Sequence, residues 1–171
     1  MEFLELSKRR YSVRKFDPRP VEKEKLDLVL EAGRLAPTAT NAQPIRVLVV
    51  QSEEARAKLA AATPMTYGAP VSLLVCFDVD AVWQNKREPG YNAGEMDGSI
   101  VCDEMMLQAT ELGLGTLWAR GYNTDDVAAA MEIPANLRLV CILDVGYPAA
   151  DSEPSPKHAD RNPIEDMVTY L

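Results

Sequence analysis

The chain has 171 residues, 47% hydrophobic and 26% charged, with 26 acidic residues against 18 basic ones and a net charge of −8. One domain of this length buries roughly 70% of its unfolded surface, so it needs no disulfide or metal staple. Its acidic balance excludes a nonspecific nucleic-acid binder, and no apolar run reaches the roughly 18 residues of a membrane span. In chain order, the spacing predicts a short helix over Phe3–Lys8. After Pro18 and Pro20 it predicts a helix over Glu22–Leu35, where Leu26, Val29, Leu30 and Gly33 recur on one face. The stretch from Pro37 to Pro44 reads as a loop bracketed by prolines, followed by a strand over Ile45–Val50. Ser52 caps a helix over Glu53–Ala62. Pro70–Phe77 is apolar almost throughout, as a central strand covered on both faces is. An irregular polar stretch runs from Asp78 to Asn92, with a turn at Pro89-Gly90. The longest helix spans Gly94–Leu112 and ends at Gly113. A strand over Thr116–Ala119, a helix over Asp125–Met131 capped by Thr124, and a strand over Leu137–Val145 complete the domain. Beyond Gly146 the prolines at 148, 154, 156 and 163 predict an extended tail, residues 146–171. Interleaved helices and strands imply a three-layer α/β/α or α+β arrangement around one sheet.

The single histidine, His158, cannot build a histidine-rich metal site, and no metal is expected. Cys76, Cys102 and Cys141 are far apart and sit in apolar patterns, as buried reduced thiols do. The first six residues are acidic and lack the apolar core of a signal peptide, so the expected location is cytoplasmic. The acid pairs Asp78/Asp80, Glu95/Asp97 and Asp103/Glu104 read as solvated acids and helix caps.

Four stretches carry residues suited to chemistry. In an acidic protein, Lys8, Arg9, Arg10, Arg14 and Lys15 form a basic cluster. If Arg10 to Arg14 is extended, Arg10, Ser12 and Arg14 share one side and Tyr11 and Val13 the other. Two guanidinium forks and a hydroxyl suit a phosphate and polar heterocycle edges; solvated arginines completing a helix C-terminus account for the same residues. In the second stretch, Thr38, Ala39 and Thr40 are small enough for a planar ligand to approach the backbone. Asn41 and Gln43 add amides, although ordinary turn formers would look the same. The third runs from Gly113 through Trp118, Ala119, Arg120 and Gly121. Its glycines permit a tight helix-to-strand passage, and it is not a dinucleotide fingerprint. The fourth holds Arg161, a second cation for a phosphate or simply a solvated one.

Taken in order, these stretches resemble the FMN-dependent nitroreductase family, in its compact short-chain form. The resemblance starts at Lys8-Arg9-Arg10-Tyr11-Ser12-Val13-Arg14-Lys15-Phe16 and continues through Ala36–Pro44, Ala69-Pro70-Val71 and Gly113-Leu114-Gly115-Thr116. It ends at Val145-Gly146-Tyr147-Pro148 and Arg161–Asp166. It implies an α+β fold with three α/β/α layers around one mixed, mainly antiparallel sheet. It also implies a homodimer with two FMN sites, each lined by both chains, and a tail packing on the partner. Arg10, Ser12 and Arg14 would hold the flavin phosphate and pyrimidine edge, with Tyr11 among the cofactor-binding residues. Pro37, Thr38, Ala39 and Thr40, with Asn41 or Gln43 nearby, would lie along the ring from the other chain. Ala119-Arg120-Gly121 would carry the backbone N–H facing flavin N5, with Trp118 also at the cofactor, and Arg161 would close on the phosphate. The chain departs from the family pattern at Ala61-Ala62-Thr63-Pro64, where a side-chain amide is usual, and at Ala159, where a lysine is usual. The implied activity is hydride transfer from NAD(P)H through FMN to nitroaromatic, quinone or similar electron-poor acceptors, by a ping-pong mechanism. No side chain is assigned as an acid or base. The alternatives are the same fold running dehalogenation, flavin reduction or flavin fragmentation, or a noncatalytic flavin-binding module.

Overall fold

The computed structural model describes residues 2–171. Four strands, β1 (Ile45–Val50), β2 (Val71–Asp78), β3 (Gly115–Ala119) and β4 (Leu137–Gly146), form one sheet in the order β1-β2-β4-β3. All three pairings are antiparallel, and a single parallel bridge, Ser12 to Thr116, adds the Arg10–Arg14 segment at the β3 edge. The central strands are apolar on both faces because both faces are covered. α2 (Lys23–Leu35) and α4 (Gly94–Glu111) pack on Val71, Leu73, Val75, Leu143 and Val145. On the other face lie α3 (Glu53–Ala62) and α5 (Thr124–Ala130), where Leu59 and Val127 join Val50, Leu74 and Ile142. Burying each such side chain stabilises the fold by about 1.5–3 kcal/mol. The result is α+β in three layers.

Local chemistry explains the boundaries. Ser52 caps α3, its hydroxyl accepting from the Ala55 N–H at 3.2 Å. α5 starts one residue earlier than its expected bounds. The cap is Asn123, not Thr124: the Asn123 side chain accepts from the Asp125 and Asp126 N–H groups, which a carbonyl on a longer arm does better than a hydroxyl. α1 (Phe3–Arg9) runs one residue past Lys8, so Arg9 is helical and the extended segment begins at Arg10. α4 ends where Gly113 adopts φ +77°.

A bulge sits in β4. Val75 pairs with Cys141 and Cys76 with Leu139, which leaves Val140 unpaired. Val140 and Cys141 therefore both join the α2/α4 core. The three thiols are free and buried. Burial pushes Cys76 up to about 12, and contact with Cys141 joins burial in raising Cys102. Thiols held protonated in this way are inert.

Candidate active site

The basic segment is fixed by backbone bonds. Val13 donates to the Thr116 carbonyl at 2.9 Å, Asp17 to the Tyr147 carbonyl at 2.8 Å, and Ala149 to the Lys15 carbonyl at 3.0 Å. Val13 is fully buried and presses on Gly115, where a Cβ would meet its methyl at 2.5 Å. That contact sets the alternation: Val13 points in, and Ser12 and Arg14 point the other way. Arg14 is exposed and donates to the Ser12 carbonyl at 3.3 Å. Arg9, Arg10 and Arg14 take part in none of the described ion pairs. They stand uncompensated in a protein of net charge −8 and so are open to an anion from outside the chain.

The tail reaches the same corner. Tyr11 donates its hydroxyl to Ser152, and its ring meets His158 edge-on. The His158 ring nitrogen Nε2 lies 3.0 Å from the Lys8 carbonyl. Arg161 folds back onto the carbonyls of His158 and Asp160, each at 2.6 Å. The tail therefore rests on its own chain through Ser152 and His158, and Arg161 is bonded back to the carbonyl of His158 three residues before it. Beyond it, Ile164, Met167 and Tyr170 are exposed.

At the far end of β3, Trp118 is half-buried against the α2/α4 core, Ala119 is buried, and Arg120 and Gly121 are exposed. Met65 lies over Gly121, its sulfur 3.2 Å from where a Cβ would stand. Tyr122 follows, its ring under the Arg120 guanidinium at 5.4 Å and its hydroxyl pushed up by burial.

The loop from Pro37 to Gln43 is strained. Thr40, Asn41 and Gln43 have φ of 53°, 57° and 50°, a left-handed region that non-glycine residues enter at a cost. Pro37, Thr40, Asn41 and Gln43 are exposed, and Thr38 and Ala39 half-buried. This loop leads into β1 at Ile45, level with Phe77, whereas the arginine segment lies beyond β3, level with Val145. Four strand spacings across and six residues of rise along put the two roughly 25–30 Å apart, at diagonally opposite corners of the sheet. One chain thus carries Arg10, Tyr11, Ser12 and Arg14 on one segment, with the tail before Arg161 meeting it at Tyr11, and leaves the Pro37–Gln43 loop away from them. The cleft beside Arg10, Tyr11 and Gly115 holds only ≈ 120 Å³, below the roughly 300–1,000 Å³ of a small-molecule pocket.

Two buried carboxyls were not legible as such. Asp144, on β4, has no exposure and accepts from the Ser72 hydroxyl. Burial raises it to about 8 against that bond. Asp97 is only 2% exposed, not a solvated acid as its sequence neighbours suggest. Its Oδ1 accepts from the Ala39 N–H at 3.0 Å. The sequence signal for it was an acid beside Glu95 in the first turn of a helix, which caps and solvated acids share. Among the described residues no group of acids, cysteines and histidine is placed to hold a metal, and no helix is long and apolar enough to cross a membrane.

The sequence matches the Nitroreductase family over residues 7–65 and 61–147. A nitroreductase family protein from Clostridium difficile 630 is 43% identical, with a TM-score of 0.92 over 99% of this chain and 98% of that one. An FMN reductase [NAD(P)H] from Bacillus subtilis is 30% identical, over 94% of this chain and 71% of its own length. A nitroreductase homologue from Exiguobacterium sibiricum, solved in complex with FMN, is 25% identical with a TM-score of 0.84, over 100% and 98% of the two chains. A family match across both halves of the chain and a fold shared nearly end to end agree with the ordered motifs, and the chain belongs to the nitroreductase family.

Proposed function

We propose that the protein is an FMN-dependent NAD(P)H oxidoreductase that reduces small electron-poor acceptors, nitroaromatics and quinones among them, from a site shared by two copies of the chain. The observation that carries the reading is the unpaired arginine corner beside the Ser12–Thr116 bridge, in a family whose relatives include an FMN reductase and an FMN complex. The residues fit the cofactor. Arg10, Arg14 and Arg161 supply fork-shaped donors for a phosphate and for the oxygens of a pyrimidine edge, and Ser12 adds a hydroxyl. Exposed backbone at Arg120 and Gly121 is free to donate to a ring nitrogen. The Pro37–Gln43 loop of the second chain forms the facing wall, because its own arginines lie too far away to share a ligand with it.

FMN when bound supplies the hydride and electron chemistry, so nicotinamide and acceptor use one slot in turn, a ping-pong sequence. The protein binds and orients. Whichever of Arg10 and Arg14 faces the pyrimidine edge would stabilise negative charge developing there. No side chain of the site is needed to move a proton. The exposed Ile164, Met167 and Tyr170, with exposed Met96 and half-covered Ile100 and Leu107 on α4, are the surfaces that a second copy covers. Reconstitution tests the reading. Protein incubated with FMN and desalted should be yellow and should bleach anaerobically on addition of NADH or NADPH. A protein that retains no FMN refutes the cofactor. A yellow protein that neither nicotinamide bleaches refutes the enzyme and leaves a binding module.

A further inference from the structure

The Pro37–Gln43 loop is held in a costly shape, and one bond reaches it from elsewhere in the fold. Thr38 precedes a 3-10 turn over Ala39–Asn41 and does not cap it. Its hydroxyl is committed to the Gln43 N–H at 3.0 Å. The Ala39 N–H at the start of the turn is therefore an orphan donor. Asp97, from the first turn of α4, takes it at 3.0 Å across 58 positions of sequence. The other described hydrogen bonds of residues 37–43 stay within residues 38–46: Asn41 and Ala42 to the carbonyls of Thr38 and Ala39, and Arg46 to the Gln43 carbonyl. Asp97 is thus the tie between a strained, ligand-facing loop and the central helix.

Local bonds alone do not hold three left-handed residues in seven against the entropy of release. A buried carboxyl can. A charge-assisted bond from a backbone N–H to a carboxylate is roughly twice as strong as a neutral one. The carboxyl is nearly inaccessible, and Oδ2 has no partner among the described residues, so water competes poorly for the contact. Gly94 seats the helix start against the Phe77 ring, where a Cβ would come within 2.5 Å, so the carboxyl is presented from a rigid base.

We propose that Asp97 is a positioning residue for the cofactor site: it caps the Ala39 turn and keeps the Pro37–Gln43 loop preformed as the wall that the flavin stacks against. This rests on the reading of the loop as flavin-facing. Asp97 touches neither flavin nor nicotinamide; it acts through the loop. The cost of ordering the loop is met on folding, not on binding, so removing the tie moves that cost into FMN affinity.

The test is a set of FMN titrations by flavin fluorescence, with the visible circular dichroism of the bound flavin as a second readout. Asp97→Ala should bind FMN about tenfold more weakly and change the dichroism, which reports the chiral wall around the ring. Asp97→Asn keeps the acceptor without its charge and should recover part of both. Ala39→Pro removes the donor from the other side. Proline is tolerated at the first position of a turn, and the extended Thr38 (φ −131°, ψ 156°) suits a following proline. It should reproduce the Asp97→Ala phenotype, and the double variant should be no worse than either single one. If Asp97→Ala does not fold, the comparison of Ala39→Pro with Asp97→Asn decides alone. Wild-type affinity and dichroism in Asp97→Ala or Ala39→Pro overturn the proposal, as do equal losses in the Asn and Ala variants. Failure of the wild-type protein itself to bind FMN overturns instead the functional reading on which the proposal stands.

Discussion

Asp144 shows how one side chain couples the core to pH. An aspartate ordinarily titrates near 3.8, and burial lifts this one to about 8 in the folded chain. Between those values the native state keeps a proton that the unfolded state has lost. Its contribution to stability is therefore complete below about pH 4 and falls as pH rises toward 8, by at most about 1.4 kcal/mol per pH unit. Asp144→Asn, which cannot ionise, should remove that slope. Urea melts at pH 5.5 and 8.5 should show the variant gaining on the wild type at the higher pH. A difference between the two proteins that does not change with pH contradicts the burial argument. Arg10 and Arg9 make a second comparison at this scale. Arg9 closes α1, whereas Arg10 opens the extended segment that carries Ser12 and Arg14. Arg10→Ala should weaken FMN binding about ten- to a hundredfold, the loss of a charge-assisted bond, with a smaller effect from Arg9→Ala. Equal effects in a fluorescence titration would remove Arg10 from the phosphate site.

Among the elements, α4 carries the most constraint. It bridges the sheet, the α2 helix and the strained loop, and it does so at close range. At Gly98 a Cβ would meet Val140 at 2.8 Å, and Val140 is the extra residue of the β4 bulge. The bulge turns a second consecutive side chain toward α4, and a glycine makes room for it. Gly98→Ala should cost about 1–3 kcal/mol through overpacking, in spite of the gain in helix propensity. For a chain of this size that lowers Tm by about 2–9 °C. Calorimetry checks it, and an unchanged or higher Tm would mean that Val140 yields without strain. The same element shows the limit of pattern reading. Its apolar spacing marks Val101, Met105 and Ala109 as core, and all three are buried. Asp97 carries the same pattern of a first-turn acid as exposed Glu95, and burial alone separates them.

For the whole molecule, the decisive feature is that the two stretches proposed to hold the flavin lie at opposite corners of one sheet. If each site takes the arginines of one chain and the loop of another, two defective chains should complement each other. Arg10→Ala and Thr40→Trp homodimers should each bind FMN poorly, the first for lack of a phosphate partner and the second because an indole fills the wall. Refolding the two together in equal amounts yields mixed dimers with one intact site and one doubly defective site. About a quarter of wild-type FMN binding should return, since about half of the dimers are mixed. No recovery on mixing, in a protein that light scattering shows to be dimeric, would place each site within a single chain. The shared interface should exceed about 2,000 Å² in total if the folded monomer depends on it.

What the sequence determined by itself was the part written in local chemistry and periodicity. Apolar runs placed the strands within a residue or two, because a strand covered on both faces can carry little else. Ser52 before Glu53 and Gly113 after the longest helix set boundaries through caps that act over a few residues. The ordered motifs named the family, since Arg10–Arg14, Ala36–Pro44 and Gly113–Thr116 are short contiguous stretches. The rest came from packing. Pairing order, the Val140 bulge and the Ser12–Thr116 bridge are contacts between distant positions, and no local pattern encodes which strand lies beside which. Burial made Asp97 and Asp144 unlike the other acids, and burial belongs to the packed chain, not to the residue. The distance between the arginine corner and the Pro37–Gln43 loop has the same origin: two motifs that look equally ligand-directed in sequence lie where one chain cannot bring them to a single flavin.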